Sequence, residues 1–200
     1  TEITPLSIQE IQLLLAEADT SMRYGAAVTI ALTTGMRRGE ILGLKWNDID
    51  LTGDPAHLRV RRNLQRIDGQ LVTGEPKSTK SRRTITLPIL ARDAVQRHRV
   101  DQAQERLVAG DEWADLDFVY ATPTGEPVDP RNFHRSWHLL LDRVGLDRRP
   151  LHEARHAAAS LMLSNGVPLK AVQEALGHST IRLTADTYGH LMPEDLDRVA

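Results

Sequence analysis

Several short runs of this chain hold side chains able to work on an anionic substrate. The first is Thr34-Gly35-Met36-Arg37-Arg38-Gly39-Glu40. Gly35 permits a sharp break after a helix, so the next helix would begin at Arg37 with its N-terminus facing a cleft. The helix dipole and a guanidinium fork both favour an anion there, and Glu40, one turn on, can orient the arginine. In Glu75-Pro76-Lys77-Ser78-Thr79-Lys80-Ser81-Arg82-Arg83, a polar hairpin tip presents lysines that could enter a cleft as mobile proton donors. His152, Arg155 and His156 share one helical face by their i, i+3, i+4 spacing. Gly177 turns the chain so that His178 precedes Ser179, a helix N-cap, and Tyr188 falls near that helix's end. Read singly, each run is equally an ordinary turn, a solvated tip or a half-buried tyrosine.

His152-Glu153-Ala154-Arg155-His156 also spells H-E-x-x-H, in which two histidines bind zinc and the glutamate is the base. Two features oppose that reading. The extended form of the pattern fails at Ala159 and Met162. Arg155, a permanent cation, would project from the face that must hold the metal.

The elements that position these residues are mostly helical. Ser7-Ile8-Gln9-Glu10 is a capping box with Leu6 and Ile11 as its staple, opening a helix to about Ala18. Helices are expected over about 23–33, 38–44, 88–109 and 129–144, then 152–164, 168–176 and 179–188, with a tail from Pro193. Residues 57–61 and 83–87 alternate, and turn signals at Asp68-Gly69, Gly74 and Pro76 lie between them. Together they predict one antiparallel sheet of about three strands. Asp117-Phe118-Val119-Tyr120 reads as a short strand.

The net charge is -2, but residues 57–100 carry +8 and residues 101–130 carry -7. A partner feels the local face, so the sheet region can present a positive surface to phosphates; alternatively the two segments neutralise each other. Arg61, Arg62, Lys80, Arg82 and Arg83 are the candidates for such contacts. The chain has no cysteine, which excludes a disulfide scaffold, a thiol nucleophile and Cys-ligated metal. It has no apolar run of about 18 residues. The start TEITPLSIQE is neither a secretory signal nor a transit peptide.

In chain order the runs read T-G-x-R-x-x-E, a hairpin lysine, H-x-x-R-H, L-G-H, then Y. This resembles the catalytic domain of the tyrosine recombinase (phage integrase) family, across nearly the whole chain. The resemblance implies a mainly α (α+β) domain over residues 1–200, helical with a small three-stranded antiparallel sheet. It implies Tyr188 as nucleophile, with Arg37, Lys77, His152, Arg155 and His178 catalytic and Glu40 supporting. Lys77 matches the hairpin lysine best, with Lys80 second. Glu153-Ala154 stands where the family often has Asp-Leu, at positions of mainly structural role. Attack would give a 3′-phosphotyrosine and a free 5′-hydroxyl without ATP, cofactor or metal, His152 acting as base. The partner would be double-stranded DNA, bound by a homotetramer of the full-length protein, with a monomer open to the isolated domain. The compartment would be the cytoplasm, for a bacterial or phage-encoded protein. The family normally carries an N-terminal core-binding domain, so the chain is expected to be a catalytic-domain fragment. Rival readings are a zinc hydrolase on His152 and His156, a DNA-binding module that has lost catalysis, and a type IB topoisomerase.

Overall fold

A computed structural model describes residues 6–75 and 81–188. Helix α1 (Ile8–Ser21) starts at the expected capping box: Ser7 Oγ accepts from Glu10 N–H, and Glu10 accepts from Ser7 N–H. Leu6 and Ile11 are both buried, as the staple requires. Helix α2 (Gly25–Thr34) is apolar around its whole circumference. It lies inside the molecule, packed on α1, on α4 (Ile89–Ala109) and on α6 (His152–Ser164). Val28, Ile30 and Leu32 are fully buried, each contributing about 1.5–3 kcal/mol. Helix α3 (Arg38–Leu42) follows at once. Helix α5 (Pro130–Arg143) buries Phe133, Trp137, Leu140 and Leu141, leaving a polar opposite face. Helices α7 (Leu169–Leu176) and α8 (Ile181–Tyr188) close the described chain.

The sheet differs from its expected form. Strands β1 (Ile49–Asp50), β2 (His57–Val60) and β5 (Arg83–Thr86) make a three-stranded antiparallel sheet in the order β1-β2-β5. Strands β3 (Asn63–Ile67) and β4 (Gln70–Gly74) form a separate ribbon. The third strand therefore comes from before residue 57. Pairing of β2 with β5, Leu58 opposite Ile85, leaves the intervening chain to fold on itself about Asp68-Gly69.

Residues 117–120 are not a strand; only Phe118 bridges, to Lys45. Phe118 to Tyr120 are buried, with the segment's backbone satisfied by residues 44–46 (Trp46 N–H donates to Asp117 O and Val119 N–H to Leu44 O) and by α4 side chains: Gln102 Nε2 donates to Phe118 O and Val119 O, and His98 bonds Val119 O. The expected tail helix from Pro193 lies outside the described residues. Among the described residues no helix is long and apolar enough to cross a membrane.

Candidate active site

Arg37 caps the N-terminus of α3. Its N–H donates to Glu40 Oε2 (2.9 Å) and its Nη1 to Glu40 Oε1 (3.0 Å), so the glutamate one turn on holds the arginine as expected. Glu40 is buried. Burial pushes its carboxyl up, but hydrogen bonds and charge from Arg83, then from Arg37, outweigh this and hold it below the usual range.

Arg155 comes from the first turn of α6 and is buried. Its Nη1 donates to Gly35 O (2.6 Å) and its Nη2 to Leu176 O (2.8 Å), tying together the C-terminal ends of α2 and α7. Burial, then the charge of Arg37, lowers its pKa to about 10, so it stays a cation at neutral pH. Gly35 is required at that junction: its φ is +66°, and a Cβ there would lie 2.6 Å from Leu176 Cδ2.

Arg37, His152 and Arg155 line one cleft of about 840 Å³. Arg38 and Arg66, with Arg131 of α5, add to its cationic wall. His152 is exposed there. Its pKa is lowered by burial of its ring, then by His156, Arg155 and Arg37.

Tyr188 is not an exposed phenol. It is 4% accessible and packs with Ala159, Leu163, Val172 and Leu176. Its hydroxyl lies 2.7 Å from His156 Nδ1. The His156 ring stands edge-on to that of His152, with centroids 4.7 Å apart. The sequence reading makes His152 the base, yet the nitrogen against the phenol belongs to His156, one turn deeper on α6. Burial raises the Tyr188 pKa, with Arg155 opposing.

His178 opens instead on a neighbouring groove between β5 and α7. Its Nδ1 bonds Thr184 Oγ1 at 2.8 Å, and the α8 cap is Thr180, which accepts from Leu183 N–H, one residue past the expected Ser179. Burial, then Arg155, Arg37 and Arg83, lowers its pKa to about 4, so it is neutral at physiological pH. Among the described residues, no group of three His, Cys, Asp or Glu could hold a metal ion, His152 and His156 included.

The expected phosphate-binding residues divide. Lys77 and Lys80 lie outside the described residues. Arg82 is exposed and ion-paired with exposed Glu75. Arg61 is half exposed and lines a groove with Arg59 and Arg82, 3.7 Å from Asp48. Arg62 is paired with buried Asp48. Arg83 is a correction: its side chain is 7% accessible and turned inward onto Glu40, so it is not the surface cation expected, although it also borders the groove of Arg59, Arg61 and Arg82. The acidic segment is partly neutralised by basic residues, with Arg66 on Asp129 and Arg23 on Glu105.

Two arginines and a histidine thus share one cleft, and a buried tyrosine is hydrogen-bonded to a second histidine of the same helix α6, an arrangement able to bind an anion beside a nucleophile. The phage integrase family model matches residues 5–195, and the chain belongs to that family. It is 34% identical over 206 residues to a tyrosine recombinase XerC-like protein of Caldanaerobacter subterraneus, covering 97% of this chain and 52% of that one. It is 30% identical to an integrase of Saccharopolyspora erythraea, covering 100% of this chain and 56% of that one. The chain thus spans about half the length of these relatives. Its fold is similar to that of the Tn1549 transposon integrase, solved in complex with a circular intermediate DNA. There the TM-score is 0.80 at 21% identity, over 100% of this chain and 67% of that one.

Proposed function

We propose that this chain is the catalytic domain of a site-specific DNA recombinase that breaks and rejoins strands through Tyr188. The observation that carries the reading is the convergence of Arg37 and Arg155 on one cleft, both anchored before any substrate arrives. A phosphodiester gains negative charge in its pentacoordinate transition state, and fixed guanidinium donors stabilise that charge without reorganising. Neutral His178, from the adjoining groove and within electrostatic reach of Arg155 and Arg37, adds a further N–H when the DNA spans both. For cleavage, α8 carries the buried Tyr188 to the cleft; its Oη gives its proton to His156 Nδ1, with His152 beside it, and attacks phosphorus. The phosphorus–O5′ bond breaks, and Lys77 protonates the departing 5′-oxygen. The product is a 3′-phosphotyrosine and a free 5′-hydroxyl. Attack by another strand's 5′-hydroxyl reverses the step, so no ATP is consumed.

The partner is double-stranded DNA. Arg61 and Arg82, with Lys80, supply phosphate contacts that position the duplex rather than read its sequence. The share of each relative left uncovered supports an additional DNA-clamping domain in the whole protein, which works as a homotetramer on DNA.

The test is a nicked suicide duplex carrying the recombination site that flanks the gene. The unaltered chain should form a covalent adduct. Tyr188→Phe should bind DNA with similar affinity and form none. An adduct surviving in Tyr188→Phe would move the nucleophile elsewhere.

A further inference from the structure

Arg83 sits where three parts of the site meet. Its Nη2 donates to Glu40 Oε2 (2.9 Å) and its Nη1 to Glu40 Oε1 (3.1 Å), a two-pronged grip on the carboxylate that holds Arg37. Its Nη1 also donates to Ser81 O (3.1 Å), where the lysine-bearing segment 76–80 rejoins the described chain. Its Nε donates to Ala175 O (2.7 Å) at the end of α7, just ahead of His178. The guanidinium lies against Gly177: a Cβ there would come within 2.8 Å of Arg83 Nη1 and 3.1 Å of Cζ. Gly177 also has a φ of +66°, so this turn has two reasons to be glycine.

We infer that Arg83 is a positioning residue for strand cleavage, acting through Glu40 on Arg37 and through the Ala175–Gly177 turn on His178. The inference rests on the proposed recombinase reading. Without Arg83, buried Glu40 keeps one cationic partner instead of two. The Arg37 fork then loses its fixed bearing, and the turn before His178 loses the tie to β5 that Arg83 makes at Ala175 O. Lysine cannot substitute. It carries the charge, but not the planar fork that reaches Glu40, Ser81 and Ala175 at once. A misplacement of about 1 Å in such a group costs on the order of 100-fold in rate.

The experiment compares the unaltered chain, Arg83→Lys and Arg37→Ala on two suicide duplexes. One has a normal scissile phosphate. The other has a methylphosphonate, whose missing charge lessens the need for a well-placed Arg37. Adduct formation by the unaltered chain tests the recombinase reading by itself. Single-turnover rates at saturating DNA then test the inference. Arg83→Lys should lose roughly 10- to 100-fold on the phosphate. It should recover much of that loss on the methylphosphonate, as Arg37→Ala does, with DNA affinity near that of the unaltered chain. Melting curves identify any loss through unfolding, which would slow both duplexes alike. An Arg83→Lys rate equal to the unaltered rate, or an equal loss on both duplexes, overturns the inference.

Discussion

The Tyr188 hydroxyl is hydrogen-bonded to His156, 2.7 Å from its Nδ1, and not to the cleft-lining His152. Two helices make this contact: α8 brings the phenol, and the second turn of α6 brings the ring. A buried phenol has a raised pKa and needs an acceptor at hand.

His156→Phe keeps a planar ring but removes the acceptor. General-base assistance is worth about 10²–10⁴-fold, so adduct formation at neutral pH should fall by an amount in that range. The remaining rate should climb with pH as the phenol itself ionises. Single-turnover cleavage between neutral and alkaline pH measures this. A faster variant would show that His156 restrains Tyr188 instead of activating it.

Neighbouring arginines on β5 and its approach should behave differently. Arg82→Glu should weaken binding to all DNA sequences alike and reduce the log–log salt slope by about 0.9 for a lost phosphate contact. Arg83→Glu brings a second carboxylate against Glu40, and a buried, uncompensated charge costs about 3–5 kcal/mol. It should lower the melting temperature markedly, where Arg82→Glu leaves it nearly unchanged. Salt titrations and circular-dichroism melts separate the two.

Cleavage should persist in excess EDTA. Arg37 and Arg155 supply fixed positive charge at the cleft, the role a divalent cation plays in many phosphoryl-transfer sites. Loss of adduct on chelation, restored by zinc or magnesium, would revive the hydrolase reading of His152 and His156.

His178 links stability to pH. Its pKa falls from 6.5 unfolded to about 4 in the fold, so between these values the unfolded chain binds more protons. The contribution is present above pH 6.5 and is lost as pH falls towards 4. Melting temperatures of the unaltered chain should drop across that window more steeply than those of His178→Gln. Parallel curves would show that His178 titrates normally.

Local signals in the sequence located most helices. The Ser7–Glu10 box, the Asp129-Pro130 start and the Gly35 and Gly177 stops act within a few residues of themselves, so no tertiary knowledge is needed. Residues 117–120 misled because a short, largely apolar run looks like a strand whether a neighbouring strand or a mix of loop backbone at 44–46 and α4 side chains satisfies its backbone. Arg83 misled for a related reason. Beside Lys80 and Arg82 it reads as one more surface cation, and its partner Glu40 lies 43 positions away. His156 was visible as sharing a face with His152 and Arg155 and as a possible zinc ligand, but not as the partner of Tyr188, since that contact spans 32 positions and depends on how α8 packs.

The Gly35 carbonyl ends α2 and also receives Arg155 from 120 positions along the chain. The turn that launches Arg37 is therefore built partly by the other arginine. This has a bearing on inheritance by exchange of parts. A chimaera that took residues 34–40 from one relative and residues 151–178 from another would join halves of a single joint. Hybrid recombinases should keep activity when these two segments, and Arg83 with them, descend from the same parent.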